Sequence, residues 1–400
     1  MAHGHPGQHR AHLRDGELSA ATTAAASDDS VVVRAAAVLG LVWLGDALIY
    51  VILPLHAQAF GISLGLVGVV LSLNRIVRIL GYGWVTRLSR RLGMRALTAW
   101  AALGAALSTL GYGTLLGVLP LLLARLVWGL AYGVLNVTTT AYAIGDGGRP
   151  GRRVGLNRAV STVGPALALS VGAWLAVSLG PRAVFVVLGV IGLAAVPLAL
   201  TLPREIAAGH GDAGRGGTRW RPSTLNLLFF MLSAIDGAFA TTLSLLFAGA
   251  SSMTSAVLAA GLVLALQRVS IVLLSLLAGP LIDRIGARNL LAPCVVVIVA
   301  GLLGIAHGAV YVSAILVVIA RAVLATAGPV LATQERAGST VERLAAFATW
   351  VDSGLAVGPL IGGFAVARFG MGALYDTLAV GIVAALTLHV AARRRVALGV

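Results

Sequence analysis

Ten ionisable side chains are set into stretches built otherwise of Ala, Leu, Val, Ile and Gly. They are Arg75, Arg78, Arg125, Arg158, Arg268 and Arg321, with Asp46, Asp236, Asp352 and, near a stretch end, Asp376. A charge in such surroundings costs roughly 3 kcal/mol unless it faces a partner or a water-filled cavity. The two residue types offer different chemistry. Arg keeps its proton and presents a rigid fork to a carboxylate or phosphate. Asp gains or loses a proton as its surroundings change. Together they suit anion recognition and proton exchange rather than bond making. Their intervals also recur. Arg75 and Arg268 stand 193 apart, Arg125 and Arg321 196, Asp46 and Asp236 190, while Arg158 and Asp352 each precede a Gly-Pro by six residues.

Helical spacing groups these side chains. Arg75, Arg78 and Tyr82 share one face, Trp43, Asp46 and Tyr50 another, and Arg125, Gly129, Tyr132, Asn136 and Thr139 form a polar or small stripe. Such stripes line cavities or helix seams. Asp46, Asp236 and Asp352 are the candidates for proton coupling, Asp46 first. Arg75, Arg78, Arg268, Tyr50, Tyr82, Asn136 and Gln267 are the candidates for substrate binding. The competing structural reading pairs Asp46 with Arg75 or Arg78, and Asp236 with Arg268. Arg125 and Arg321 fit a seam or coupling network, and His56 and His307 the membrane interface. An intramembrane enzyme would need clustered carboxylates or histidines at one membrane face, and Asp146 with Asp212 does not supply them. The single Cys294 allows neither a disulfide nor a thiolate metal site, and without Lys there is no phosphate-binding P-loop, so no cofactor is expected.

The elements that must hold these residues are membrane spans. Hydrophobic residues make up 58% of the chain and charged residues 11%, with mean hydropathy +0.96, where a soluble domain carries about a quarter charged residues. Apolar runs of the needed length, about 20 residues, lie near 31–57, 62–85, 94–112, 116–142, 154–177, 183–202, 223–247, 255–277, 290–307, 310–333, 344–366 and 372–392. The chain is thus expected to divide into a polar leader (1–30), a first bundle (31–202), a polar Gly-rich linker (203–222), a second bundle (223–392) and a short tail (393–400). The leader holds His3, His5, His9 and His12, and a segment without fixed structure is preferred there over a metal-binding tail. Of 29 arginines, 21 fall in segments that an even number of spans puts on one side, and only Arg182 and Arg368 in the opposite loops. The positive-inside rule then places both termini in the cytoplasm of a multi-pass cell-membrane protein. The net charge of +15 reports topology, and no nucleic-acid partner is implied.

The recurring intervals reflect a duplication. Gly279–Arg288 reads GPLIDRIGAR between two apolar runs, and Thr86–Arg95, TRLSRRLGMR, aligns with it at the same 193-residue offset. Gly164-Pro165 aligns with Gly358-Pro359. This set resembles the major facilitator superfamily, whose loop signature is Gly-x-Leu-x-Asp-Arg-x-Gly-x-Arg. The second copy keeps Gly279, Asp283, Arg284, Gly286 and Arg288. The first has Thr86 for the leading Gly and Arg90 for the acid. Arg125 with Gly129 is similar to the superfamily's Arg-x-x-x-Gly pattern, and Gly354-x-x-x-Gly358-Pro359 to the Gly-Pro motif of its drug:proton antiporters.

The resemblance implies two six-helix bundles that rock about a central site by alternating access. It also implies that Asp283 closes the cytoplasmic side against a helix N-terminus, which Arg90 cannot do, so that the gate is asymmetric. Arg284, Arg288, Arg125, Arg321, Gly358 and Pro359 complete the gating set. The function implied is secondary transport, with proton-coupled export of a small molecule preferred. The surplus of membrane Arg favours an anionic substrate and keeps an organic-anion importer open, alongside a transport-dead scaffold. Partners are the substrate, the proton and membrane lipid, and the protein is expected to be a monomer.

Overall fold

The computed structural model describes residues 6–145, 148–204, 222–248, 253–335 and 338–398. Within these, side chains are described except at 6–28, 64–65, 170, 173, 240–241, 243–248, 253–268 and 396–398. The described chain is helical throughout, with no strand. Twelve spans follow one another: α1 (Pro6–Leu55), α2 (Leu64–Leu92), α3 (Met94–Thr114) and α4 (Val118–Ile144). Next come α5 (Pro150–Leu167, a π turn at Ala168–Gly172, then Ala173–Leu179) and α6 (Ala183–Leu193 with Ala195–Leu200). The second six are α7 (Thr224–Ala248), α8 (Met253–Ile285), α9 (Ala287–Ala306), α10 (Val310–Thr333) and a run from Thr340 to Leu398 broken at Gly370, which gives α11 (340–369) and α12 (371–398). Seven of the described segments suffice by length and composition alone to cross a membrane, and the last of these, Thr340–Arg395, contains both α11 and α12.

Three features differ from the expectation. Helix α1 starts at Pro6, inside the leader read as unstructured; the run Ala20–Ala26 has high helix propensity. At the other end α12 continues to Leu398 through Arg393–Arg395, since Arg is a good helix former. The π turn in α5 follows Pro165, which has no N–H for the helical ladder and crowds the carbonyl four residues back.

The duplication is visible in the packing. Gly164 on α5 lies so close to α1 that a Cβ would meet the carbonyl of Gly40, and Gly358 on α11 stands in the same relation to Ala234 on α7. Gly40 and Ala234 are 194 residues apart, as are Gly164 and Gly358. Each Gly-Pro motif therefore seats the fifth helix of its bundle on the first, where small residues let backbones approach. The tight turns between the second and third helices of each half end on Gly93 and Gly286, at φ 78° and 93°, a region that side-chain-bearing residues rarely adopt. With six spans in each half, the α2–α3, α4–α5, α8–α9 and α10–α11 turns lie on one side, termed here the basic face.

A charged interface between two bundles

Arg125 is fully buried on α4, and its guanidinium gathers four helices. It forms an ion pair with Asp46 of α1 and donates to the Tyr50 hydroxyl (3.0 Å), to the Tyr112 hydroxyl of α3 (3.3 Å), and to the carbonyls of Val70 (3.3 Å) and Leu71 (3.4 Å) in α2. Asn74 donates to the same Tyr50 oxygen at 3.2 Å. The guanidinium carbon also lies 5.2 Å from the Tyr50 ring centroid and 5.8 Å from that of Tyr112, within cation–π range. Asp46 thus pairs with Arg125 and not with Arg75 or Arg78. Helical spacing along α2 suggested the nearer arginines, but the tertiary crossing of α4 over α1 decides.

The second bundle holds the counterpart. Arg321 of α10 makes a two-pronged pair with Asp236 of α7, Nε to Oδ1 at 2.8 Å and Nη2 to Oδ2. The intervals of 190 and 196 residues are therefore those of one ion pair built twice. The surroundings differ. The Asp46 side chain is 6% exposed and that of Arg125 0%, against 20% for Asp236. Asp236 and Arg321 line a cavity of about 150 Å³ together with Ser233, Phe347 and Leu355, and Arg158 enters its wall from α5 of the first bundle. Arg321 Nη1 and Ser233 Oγ are buried without a hydrogen-bond partner. Unsatisfied donors in a cavity lined by two cations and one anion mark a place for water or for a further negative group.

Between the bundles α2 and α11 cross. Arg78 pairs with Asp352 at 3.1 Å, Tyr82 donates to the other carboxylate oxygen at 2.7 Å, and Arg75 Nη1 donates to the Leu355 carbonyl at 3.2 Å. Arg78 also lies 4.6 Å over the ring of Tyr132. Arg75, Arg78, Tyr82 and Asp352 accordingly join the two bundles, while Tyr50 belongs to the Arg125 cluster. Asn136 is half-buried on α4. The side chains of Gln267 and Arg268 lie outside those described.

On the basic face Asp283 accepts from the backbone N–H groups of Gly151 (2.7 Å) and Arg152 (2.8 Å), in the first turn of α5 in the opposite bundle. The carboxylate also lies at the positive end of that helix. The contact requires small residues: a Cβ on Gly155 would meet the Ser275 carbonyl, and one on Gly279 would come 2.7 Å from Arg152 Cα. The first loop copy also makes a cross-bundle contact. Arg90 donates to Glu342 of α11 at 2.9 Å. The charges are exchanged: the loop supplies the cation and the helix start the acid. Glu342 escaped the sequence reading, although Ser339-x-x-Glu342 is a capping-box signature. The box is formed, with Ser339 N–H to Glu342 Oε2 at 3.1 Å and Glu342 N–H to Ser339 Oγ at 3.3 Å. Arg284 and Arg288 are exposed.

Twin bundles joined across a buried charged interface define a membrane transporter of the two-bundle class. Residues 35–333 match the profile of the Major Facilitator Superfamily, and the chain belongs to that superfamily. Its fold is similar to that of the human organic anion transporter MFSD10 (TETRAN), with TM-score 0.72, 18% identity, and coverage of 90% of this chain and 99% of that one. It is similar as well to the proton:xylose symporter XylE bound to 6-bromo-6-deoxy-D-glucose (0.70, 16%, 90% and 94%). The transporter FucP in its outward conformation also shares the fold (0.69, 15%, 90% and 97%). No curated protein sequence matches the chain. Members of this superfamily are transporters, not enzymes.

Proposed function

We propose that this protein is a proton-coupled carrier of a small organic anion, working by alternating access with its basic face towards the cytoplasm. The observation that carries the reading is the cavity in which Arg158 of one bundle and Arg321 of the other converge with the unpartnered Ser233 Oγ and Arg321 Nη1. Arg321 Nη1 and Ser233 Oγ are the unpartnered donors there, and a carboxylate accepts from such a pair. A volume near 150 Å³ corresponds to about five water molecules. That suits a metabolite-sized anion better than a drug-sized lipophilic cation, whose pockets start at about 300 Å³.

The proton is assigned to Asp46. Arg125 holds Asp46 and Tyr50 of α1, Tyr112 of α3 and two carbonyls of α2, and α2 carries Arg78 to Asp352 in the other bundle. Protonating Asp46 cancels the only full negative charge on Arg125 and loosens that clamp on α2. A proton event in the first bundle thereby reaches the inter-bundle seam. Asp236 and Asp352 are the other carboxylates able to take the role. Whether the anion moves inward with the proton or outward against it is fixed by which occupied state opens, and export remains the preferred direction on the Gly-Pro resemblance.

The test uses proteoliposomes and a set of labelled monocarboxylates, with pH gradients of both signs. Asp46→Asn should abolish gradient-driven accumulation and spare counterflow exchange, whereas Arg321→Gln should abolish both. Concentrative transport by Asp46→Asn with unchanged pH dependence would remove Asp46 from the mechanism. Indifference of the carrier to every anion in the set would remove the substrate class.

A further inference from the structure

A second concavity lies away from the interface, at the basic-face ends of α9 and α12. Arg288 and Leu291 line it from the first two turns of α9, and Leu386, Val390, Arg393 and Arg394 from the last turns of α12, around about 330 Å³. Its chemistry is one-sided. Three arginines share the groove with no acid in its wall. No side-chain hydrogen bond or ion pair joins Arg288, Arg393 or Arg394 to another residue among those described. On the same face Arg34, Arg90, Arg152 and Arg343 are engaged, with the Thr201 carbonyl, Glu342, Asp29 and the Glu335 carbonyl, and exposed arginines such as Arg87, Arg91 and Arg284 are not; Arg288, Arg393 and Arg394 differ from these in converging on one groove. Uncompensated cations repel one another and cost stability unless a counter-charge arrives.

The positive end of α9 points the same way, since the first turn of this 20-residue helix faces the groove. Buried His389, also in the lining, is held by Thr224 Oγ1 at 3.0 Å, which ties the α12 wall to the start of α7. The rim is cationic and the floor apolar, at the end of two membrane spans. We propose that this groove binds an anionic phospholipid, with the phosphate between Arg288, Arg393 and Arg394 and an acyl chain along Leu291, Leu386 and Val390. Paired Arg forks fit phosphate oxygens, and basic clefts between membrane helices select anionic over zwitterionic headgroups. Arg288 lies just across the tight α8–α9 turn from Asp283, so the occupied groove also braces the segment that contacts α5 on the basic face.

The experiment uses the purified full-length protein, delipidated in detergent. It is titrated with phosphatidylglycerol, phosphatidylcholine or inorganic phosphate and followed by native mass spectrometry and thermal unfolding. Phosphatidylglycerol should bind at least about ten-fold more tightly than phosphatidylcholine and raise the unfolding midpoint. Arg393→Gln/Arg394→Gln should lose about ten-fold of that affinity, while Arg87→Gln/Arg91→Gln, at exposed sites on the same face, should retain it. Arg393→Gln alone gives the same reading, at smaller amplitude, if the double variant is poorly produced. Equal affinity for phosphatidylcholine, equal losses in both double variants, or a full midpoint shift with inorganic phosphate alone would each overturn the lipid site.

Discussion

In the first bundle Asp46 and Arg125 are closed in by Tyr50, Tyr112 and the α2 carbonyls, whereas in the second Asp236 and Arg321 sit on a cavity wall with a guanidinium nitrogen to spare. Duplication placed the same pair at the same joint, between the first and fourth helices of each half. The surroundings of the two copies differ, which supports the different work proposed for them. A sealed pair can report only its own protonation. A pair beside a cavity can meet a ligand. The hydroxyls of Tyr50 and Tyr112 take up Arg125 donors in the first bundle, whereas Arg321 Nη1 in the second has no such partner.

The strongest way to break this comparison is to remove the same cation from each half. Arg125→Leu leaves Asp46 charged in a closed site, and losing one partner of such a pair costs about 3–5 kcal/mol. Arg321→Leu leaves Asp236 at a cavity that water can enter, and about 1–2 kcal/mol is expected there. Thermal unfolding in one detergent checks both. Equal losses would mean that the two pairs are structural equivalents and that the division of labour is wrong.

The two cross-bundle contacts of the basic face differ in the same spirit and sharpen the point at lower energy. Asp283 satisfies two backbone N–H groups at the start of α5, so Asp283→Ala should cost the closed state about 1 kcal/mol, roughly a five-fold change in population. Gly155→Ala should do at least as much, because its Cβ would need the space of the Ser275 carbonyl. Maleimide labelling of Asn157→Cys on a Cys294→Ser background reads both, since Asn157 is buried two turns into α5. Labelling should rise in each variant. No change in either would place the closing contact elsewhere.

Much of this was legible in the sequence. The twelve spans and the duplication follow from apolar length and repeat offset, which are local or periodic quantities, whereas Asp283 near a helix start is implied by the resemblance to the superfamily's loop. The pairing of the charges did not follow. Asp46 lies within reach of Arg75 or Arg78 if only neighbouring helices are considered, and its partner is set by how α4 crosses α1, a contact between residues 79 positions apart. Arg158 was seen as a membrane arginine, but its place in the cavity wall depends on how the bundles meet. Glu342 is not legible for another reason: the first loop copy lacks its acid, and the compensating acid stands on a different helix, 252 residues away.

That exchange of charges gives the smallest and most discriminating test. Arg90 is 61% exposed in its pair with Glu342, and an exposed ion pair contributes about 0.2–1 kcal/mol, much less than a carboxylate held by two helix N–H groups in a crowded crossing. Glu342→Gln removes the charge and keeps a side-chain oxygen for the Ser339 N–H, so it isolates the bridge from the cap. In a cycle of Arg90→Gln, Glu342→Gln and the double variant, the same labelling readout should give a coupling below about 1 kcal/mol. The coupling should vanish near 1 M salt, where screening acts within about 3 Å. A salt-insensitive coupling of about 2 kcal/mol or more would show that the reversed copy joins the bundles on the basic face as firmly as the Asp283 contact does, and that the two contacts are alike in strength though opposite in sign.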